Sequence, residues 1–402
     1  MAERVQKKKV LIVVENLPLP FDRRVWQEAN TLQEAGYRVS IISPVGKGYE
    51  KRYEQIDGIH IYRHPLPLEG SGALGYLLEY SSALFWEFVL SLKVYREQGF
   101  DVLQACNPPD NIFVIGLFYK LFLRKKFVFD HHDINPELYE AKFGKKGLLY
   151  KIMCWWERLT FLSADLSIAT NESYKKIAVE RGKMDPDKVY VVRSGPSLER
   201  MKRLPPNPDW KRGREYLVGY VGVMGQQEGI DHLLEAARIL VYEQGRQDIQ
   251  FVLVGGGTEL EDMQALCSQL KLNDFVTFTG RVPDQPMLEA LNTADICVNP
   301  DIANPMNDKS TMNKIMEYMA LGKPIVQYEL TEGRFSAGEA SLYAQPNNKK
   351  DLADKISWLL DRPEERARLG EFGYKRVTEK LHWGIEAPKY LQVFCRLVDT
   401  AE

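Results

Sequence analysis

Glu317 stands four residues from Asn313 and three from Lys314, so on a helix it can share a face with each. A lysine beside a helix N-terminus suits a phosphate, and a glutamate one turn later can accept both hydroxyls of a ribose. A solvated Lys–Glu pair on an amphipathic helix satisfies the same spacing. A second group, Asp130-His131-His132-Asp133, follows the apolar run Phe127-Val128-Phe129, so a strand delivers at least one imidazole to a loop. His-His-Asp is also half of a metal donor set. No further His or Cys cluster lies near it, and Cys106, Cys154, Cys267, Cys297 and Cys395 are scattered without a C-x-x-C, so no metal is expected. Arg23 and Arg24, at a helix start, either bind a diphosphate or an acidic sugar or form a solvated first turn.

These groups need rigid supports. Met312, Ile315, Met316 and Met319 fall at i, i+3, i+4 and i+7, which predicts a helix from Ser310 to Ala320 with one buried face. Ser310 or Thr311 is the expected N-cap, Gly322 the C-cap, and Pro324 prevents continuation before the strand Ile325-Val326. Upstream, Val10 to Val14 is an apolar β-branched run, Arg23 to Gly36 a helix and Val39 to Pro44 a second strand, which together form a βαβ unit. Further strands are expected at His60–Arg63, Phe100–Ala105, Phe127–Phe129, Leu166–Ala169 and Val189–Val192. Helices are expected at Leu74–Tyr95, Asn111–Leu123 and Lys142–Leu162. Leu204 to Arg214, with three prolines, reads as a linker. The pattern then restarts at Leu217–Val221 and Ile249–Val254, the latter ending in Gly255-Gly256-Gly257, followed by Val276–Phe278 and Ile296–Pro300. The fold class is therefore α/β, with two doubly wound Rossmann-like halves.

Composition excludes several classes. A net charge of −2 over 402 residues argues against a dedicated nucleic-acid binder. The basic start leads into only about five apolar residues, which read as a first strand rather than a signal peptide. No stretch reaches the ~18 uninterrupted apolar residues of a spanning helix. A cytoplasmic protein is expected, since cysteines without pairing pattern suit a reducing compartment.

The segment K-I-M-E-Y-M-A-L-G-K-P-I-V, Lys314 to Val326, resembles the nucleotide-sugar helix of family 4 glycosyltransferases, which are retaining enzymes of the GT-B fold. The likeness runs over nearly the whole chain. Phe21-Asp22-Arg23-Arg24-Val25-Trp26 brings it nearest to the bacterial branch that builds O-antigen and exopolysaccharide. This resemblance implies an acceptor-binding domain at 1–196, a nucleotide-sugar domain at 197–380 across a cleft, and a helix at 381–402 crossing back. It implies transfer of a hexose or amino-sugar from a nucleoside-diphosphate sugar, a UDP-sugar first, to a lipid-linked or glycan acceptor, with no cofactor and no metal. An epimerase acting on a nucleotide sugar, or a non-catalytic nucleotide-sugar binder, are the alternatives.

Carried over position by position, Gly225 and Gln226 supply loop N–H groups, Gly255 the strand-end turn, Arg281 a contact to base and diphosphate, and Glu317 the ribose contact. The family's basic pair is replaced by Val223 and Glu228, so the charge at the diphosphate falls to Lys314 and Arg281, with Lys309 in reserve and Glu228 expected to point away. Lys309 also takes the place of the earlier of two family glutamates: either Asp308 beside it takes over the sugar-hydroxyl contact, or Lys309 contacts a phosphate or an acidic sugar. His132 and Asp133 match the family's His-Asp pair, His132 orienting hydroxyls; others in the family place a histidine where this chain has Gln104 and Cys106. A lipid-linked acceptor would suit peripheral attachment to the inner membrane face, through the basic and aromatic stretches Phe118–Lys126 and Lys145–Trp156.

Overall fold

A computed structural model describes residues 8–66 and 72–399. The chain forms two compact units: one runs to Arg193 and takes back the chain from Glu386 on, and the other is Ser194–Ile385.

The first unit is built on eight strands: β1 (Lys9–Val13), β2 (Arg38–Pro44), β3 (Tyr53–Ile56), β4 (Ile59–His64), β5 (Val102–Cys106), β6 (Lys126–His131), β7 (Leu166–Ala169) and β8 (Val189–Val191). Their order is β3-β4-β2-β1-β5-β6-β7-β8, and every pairing is parallel except the β3–β4 hairpin. Buried on both faces, β5 and β7 are mainly apolar runs, as parallel strands require, with Gln104 the one large polar side chain among them. The hairpin turns at Asp57-Gly58, both at positive φ. Tyr53–Ile56 alternates in exposure at the sheet edge, which is why hydrophobicity alone did not reveal it. Asp22 caps the helix Arg23–Glu34, its carboxylate accepting from the Val25 N–H at 3.1 Å. The expected helix Lys142–Leu162 is two helices, Asn135–Phe143 and Leu148–Ser163, because Gly144 adopts the left-handed conformation and ends the first.

The pleat of β6 sorts the flanking helices. Phe129 and His131 meet Phe161 of Leu148–Ser163 on one face. Asp130, pointing the other way, meets Arg24 of the first helix. On the first face the helices Gly72–Glu97, Phe113–Leu123 and Leu148–Ser163 lie side by side, joined by the Phe88–Phe118 ring pair and a bond from Lys120 Nζ to Ser163 O. On the second, the last helix, Trp383–Asp399, packs Phe394 against Tyr37.

The second unit holds β9 (Tyr216–Val221), β10 (Ile249–Val254), β11 (Val276–Gly280), β12 (Ile296–Asn299), β13 (Ile325–Tyr328) and β14 (Ser341–Ala344), all parallel in the order β11-β10-β9-β12-β13-β14. The chain winds outward both ways from β9, and ligands of such sheets sit beyond the strand ends at that reversal. β14 was missed in the sequence, where Ser341–Ala344 is too short and too polar to stand out. The linker stretch is tied down, Asn207 N donating to Thr293 Oγ1 at 2.8 Å. The helix expected from Ser310 begins instead at Asn313, with Met312 as an N-cap that has no side chain able to bond. Ser310 is unable to serve because its hydroxyl donates to Met306 O at 2.8 Å. The buried face reads as expected: Ile315, Met316 and Met319 pack with Cys297 and Ile325.

Glycines crowd the ends of β9 and β10 because backbones touch there. A Cβ on Gly255, whose φ is +134°, would overlap the Gly222 carbonyl oxygen, and one on Gly257 would overlap that of Met224. Gly225 sits at ordinary φ with open space above it. Gly255→Ala should therefore cost at least ~1–3 kcal/mol of stability from backbone strain, while Gly225→Ala should leave it nearly unchanged. Thermal unfolding of the two variants against the parent checks this; equal midpoints would refute it.

Candidate functional site

In the first unit four elements converge on Asp130. Cys106 and Asp130 are register partners on β5 and β6, so they share a face, and Gln104 shares it two residues back. Gln104 Nε2 donates to Asp130 Oδ2 at 2.7 Å and to Glu28 Oε2 at 2.8 Å. Arg24 is buried and spends its guanidinium on Asp130 Oδ1 (3.3 Å), Glu28 Oε1 (3.0 Å) and Val192 O (3.0 Å). The reading of Arg24 as a diphosphate ligand does not survive this arrangement: a buried guanidinium needs fixed acceptors, and it has them. Arg23 is exposed on the helix surface.

His132 Nε2 lies 3.0 Å from Asp130 Oδ2 and 3.1 Å from Arg24 Nε. One nitrogen cannot donate to the first and accept from the second. The carboxylate wins, since a lone pair aimed at the Asp130 charge would be repelled, while the Arg24 guanidinium keeps Asp130 Oδ1 and Val192 O as acceptors. His132 is thus assigned Nε2–H, leaving Nδ1 for a substrate hydroxyl. Burial opposes protonation of His132, but Asp130 outweighs it and raises its pKa. Burial would raise Asp130; His132 and Arg24 overcome that and hold it well below the usual carboxylate range. Burial, then the charge of Asp130, pushes Glu28 up to about 8.

Cys106, Asp130 and His132 place three potential metal ligands within 4.8 Å of one another. The set does not suit a metal ion, because Arg24 already brings a positive charge to Asp130 and burial keeps the Cys106 thiol protonated. His131 turns to the opposite face, buried among Phe129, Phe161 and Tyr174 with Glu157 at 3.5 Å, and serves the core.

Asn107 pins the turn that carries His132, its Oδ1 accepting from the N–H groups of His132 (2.8 Å) and Asp133 (3.2 Å). Asp133 is held by Asn16, whose Nδ2 donates to its Oδ2 at 2.8 Å. Asn107 is in turn anchored to Asp110, which burial and the nearby Glu157 push up to about 8. Asp110 keeps its proton when folded but loses it near pH 4 when unfolded. Stability should therefore fall as pH rises from ~4 to ~8, by up to about 1.4 kcal/mol per unit for this group. Asp110→Asn should flatten that slope in urea unfolding at pH 5.5 and 8; an unchanged slope would show that Asp110 is not protonated.

In the second unit, Lys314 stands at the centre. Its Nζ donates to Asp301 Oδ1 at 2.7 Å and Glu228 Oε2 at 2.8 Å, and it lies 5.1 Å from the centroid of the Tyr220 ring. Burial lowers the pKa of Lys314, but the two carboxylates outweigh it and raise it well above the ordinary value. This corrects two expectations: Lys314 is not an uncompensated cation, and Glu228 points to it rather than away. The cause is burial, since an ammonium 8% exposed requires counter-charges.

Around Lys314 the loop Gly222–Gly229 is fixed by Tyr220 Oη donating to Val223 O at 2.9 Å and Met224 N donating to Gly256 O at 3.1 Å. Gly225 and Gln226 head its tight turn. A Cβ on Gly222 would lie 3.4 Å from Lys314 Cε, and one on Gly256 3.4 Å from Arg281 Cγ. The structure thus brings Gly225, Gln226, Gly255, Arg281 and Lys314 together. Glu317, one turn along, accepts from Arg200 Nη1 at 3.1 Å, and Arg200 also grips Asp284 at 2.6 and 2.8 Å. Asp308 is committed elsewhere, accepting from Thr331 N (2.8 Å) and Oγ1 (3.1 Å) at the start of the helix Thr331–Ala337. Half-buried Lys309 follows it on the same loop, which leans on the glycine loop through Asn304 and Asn307 to Gln227.

Asp301, Arg200 and Asp130 were missed in the sequence. Asp130 had a signal, the i, i+2 spacing to His132 at a strand end; Arg200, 117 residues from Glu317, had none.

The description Glycosyltransferase Family 4 matches residues 22–200, and Glycosyl transferases group 1 matches residues 215–362. The chain belongs to the family 4 glycosyltransferases. This glycosyltransferase is 24% identical to alpha-maltose-1-phosphate synthase of Mycolicibacterium smegmatis, over 65% of its own length and 71% of the relative's. It is also 24% identical to N,N'-diacetylbacillosaminyl-diphospho-undecaprenol alpha-1,3-N-acetylgalactosaminyltransferase of Campylobacter jejuni, over 77% and 81%. Its GT-B fold matches Anabaena HepE bound to UDP-glucose with a TM-score of 0.74 at 15% identity, covering 96% and 99% of the two chains.

The glycosyltransferase cannot lose the Lys314 charge cheaply. Lys314→Met should cost ~3–5 kcal/mol by stranding Asp301 and Glu228, and adding Asp301→Asn should recover part of it. Chemical denaturation of the single and double variants measures both. A single variant as stable as the parent would show the cluster to be unimportant.

Proposed function

We propose that this enzyme is a retaining transferase that moves a hexose or amino-sugar from a UDP-sugar to a lipid-linked acceptor in cell-surface polysaccharide synthesis. The first unit recruits the acceptor at the cytoplasmic face of the membrane, and the second holds the donor. Glu317 takes the ribose, the amides of Gly225 and Gln226 with Arg281 face the diphosphate beside Gly255, and Lys309 and Asp308 lie on the loop nearest the sugar. His132, held on the turn that also carries Asp133, offers Nδ1 to a reacting sugar's hydroxyl. Arg23, exposed on the first unit, is a cation that suits an acidic acceptor group.

The observation that carries this reading is the outer surface of three adjacent helices. Leu148, Lys151, Trp155, Arg158 and Leu162 recur every three or four residues along the exposed side of Leu148–Ser163, Leu148 and Trp155 being 76% and 58% exposed. On Phe113–Leu123, Leu121 and Phe122 are 69% and 73% exposed. On Gly72–Glu97, Phe85 and Val89 lead to exposed Lys93 and Arg96. Aromatic and aliphatic side chains interleaved with cations on one face fit an interfacial surface facing anionic lipid. Among the described residues no helix is long and apolar enough to cross a membrane. The name of the Campylobacter relative specifies a diphospho-undecaprenol-linked sugar, which supports a polyprenyl acceptor here.

Phe122→Glu with Trp155→Glu should lower co-sedimentation with anionic vesicles, and transfer to a polyprenyl-linked acceptor within them, at least ~10-fold, about 1.4 kcal/mol. Transfer to a short-chain, water-soluble acceptor should be unaffected. Equal sedimentation of parent and variant would refute the surface.

A further inference from the structure

One hydrogen-bonded chain connects His132 to the last helix. Tyr390 is buried, and burial raises its phenol well above the ordinary value, so its O–H is a donor at any working pH. It donates to Gln104 Oε1 at 2.6 Å. An amide can stand in two orientations, and this bond selects one: Oε1 toward Tyr390, Nε2 toward Asp130 and Glu28. The reverse orientation would set Oε1 against the Asp130 carboxylate. Asp130 Oδ2, fixed by that amide, is the atom facing His132 Nε2 at 3.0 Å. Three contacts of 2.6, 2.7 and 3.0 Å thus lead from Trp383–Asp399 through β5 and β6 to the imidazole.

We propose that Tyr390 and Gln104 are positioning residues for His132: they orient the Asp130 carboxylate that fixes the proton on Nε2 and leaves Nδ1 open to the substrate. The consequence for catalysis rests on the role given to His132 above; the consequence for the ring itself does not. The other charged and titratable groups around this chain are Asp22, Arg24, Glu28 and Cys106. Arg24 bonds Asp130 through Oδ1 and also lies 3.1 Å from His132 Nε2, where its N–H opposes the Nε2–H tautomer, so the orientation of Oδ2 is what decides the place of that proton. Losing the Gln104 donor leaves the Asp130 charge less satisfied, so it should hold the His132 proton more tightly.

The decisive measurement is the 15N spectrum of the His132 ring as a function of pH in the full chain. The parent should show the Nε2–H tautomer above its titration. Tyr390→Phe, which removes one oxygen, should show mixed tautomers and a titration moved to higher pH. Gln104→Met should reproduce the same change, giving a second route should either variant fold poorly. Turnover should fall about tenfold in each with donor affinity retained, and the double variant should be no worse than the more affected single one. A ring spectrum identical to the parent in both variants would overturn the proposal, as would additive losses. If the spectra change but His132→Ala still turns over normally, the relay stands and the assigned role of His132 falls.

Discussion

A buried cation held between two acidic side chains is the constraint on which both units rest. In the first it is Arg24 between Glu28 and Asp130; in the second, Lys314 between Asp301 and Glu228. Each cation comes from the first turn of a helix, and in each case one carboxylate lies at or just beyond the end of a neighbouring strand. Removing a charge from water costs several kcal/mol, so such a triad persists only where geometry is tight and every partner is present. The triads therefore do more than join elements. They fix the loops and strand ends where ligands of open α/β sheets bind.

That constraint explains what the sequence made legible and what it hid. Strands β1, β5, β6, β9 and β10 are apolar runs whose neighbours in sequence announce them, and the helix Asn313–Ala320 declares its buried face through Ile315, Met316 and Met319. Local chemistry was readable too: the glycines beyond β10 and the two histidines beyond Phe129. Partnership across long separations was not. Glu228 and Lys314 stand 86 residues apart, Gln104 and Tyr390 286 apart, and no periodicity encodes such a pairing. Edge strands such as β3, half-exposed and mixed in character, escaped for the opposite reason: they bury too little to leave a pattern.

The same pairings change the meaning of the resemblance. Loop glycines that invite a phosphate-binding reading are required first by backbone packing, Gly255 against Gly222 and Gly257 against Met224. Asp308, read as a sugar contact, caps a helix, and Glu317, read as a ribose partner, already holds Arg200. A side chain already engaged within the protein can still meet a ligand, but it must exchange one partner for another, and binding is weaker by the strength of the partner released.

The ion pair between Glu228 and Lys314 also limits how this loop can diverge. Replacing Glu228 with lysine would bring a second ammonium beside Lys314, with a single buried aspartate to balance both. Neither residue can change sign alone without leaving the folded chain a buried, unbalanced charge. The two positions form an epistatic pair, and a lineage leaving this arrangement has to pass through a neutral intermediate at one of them.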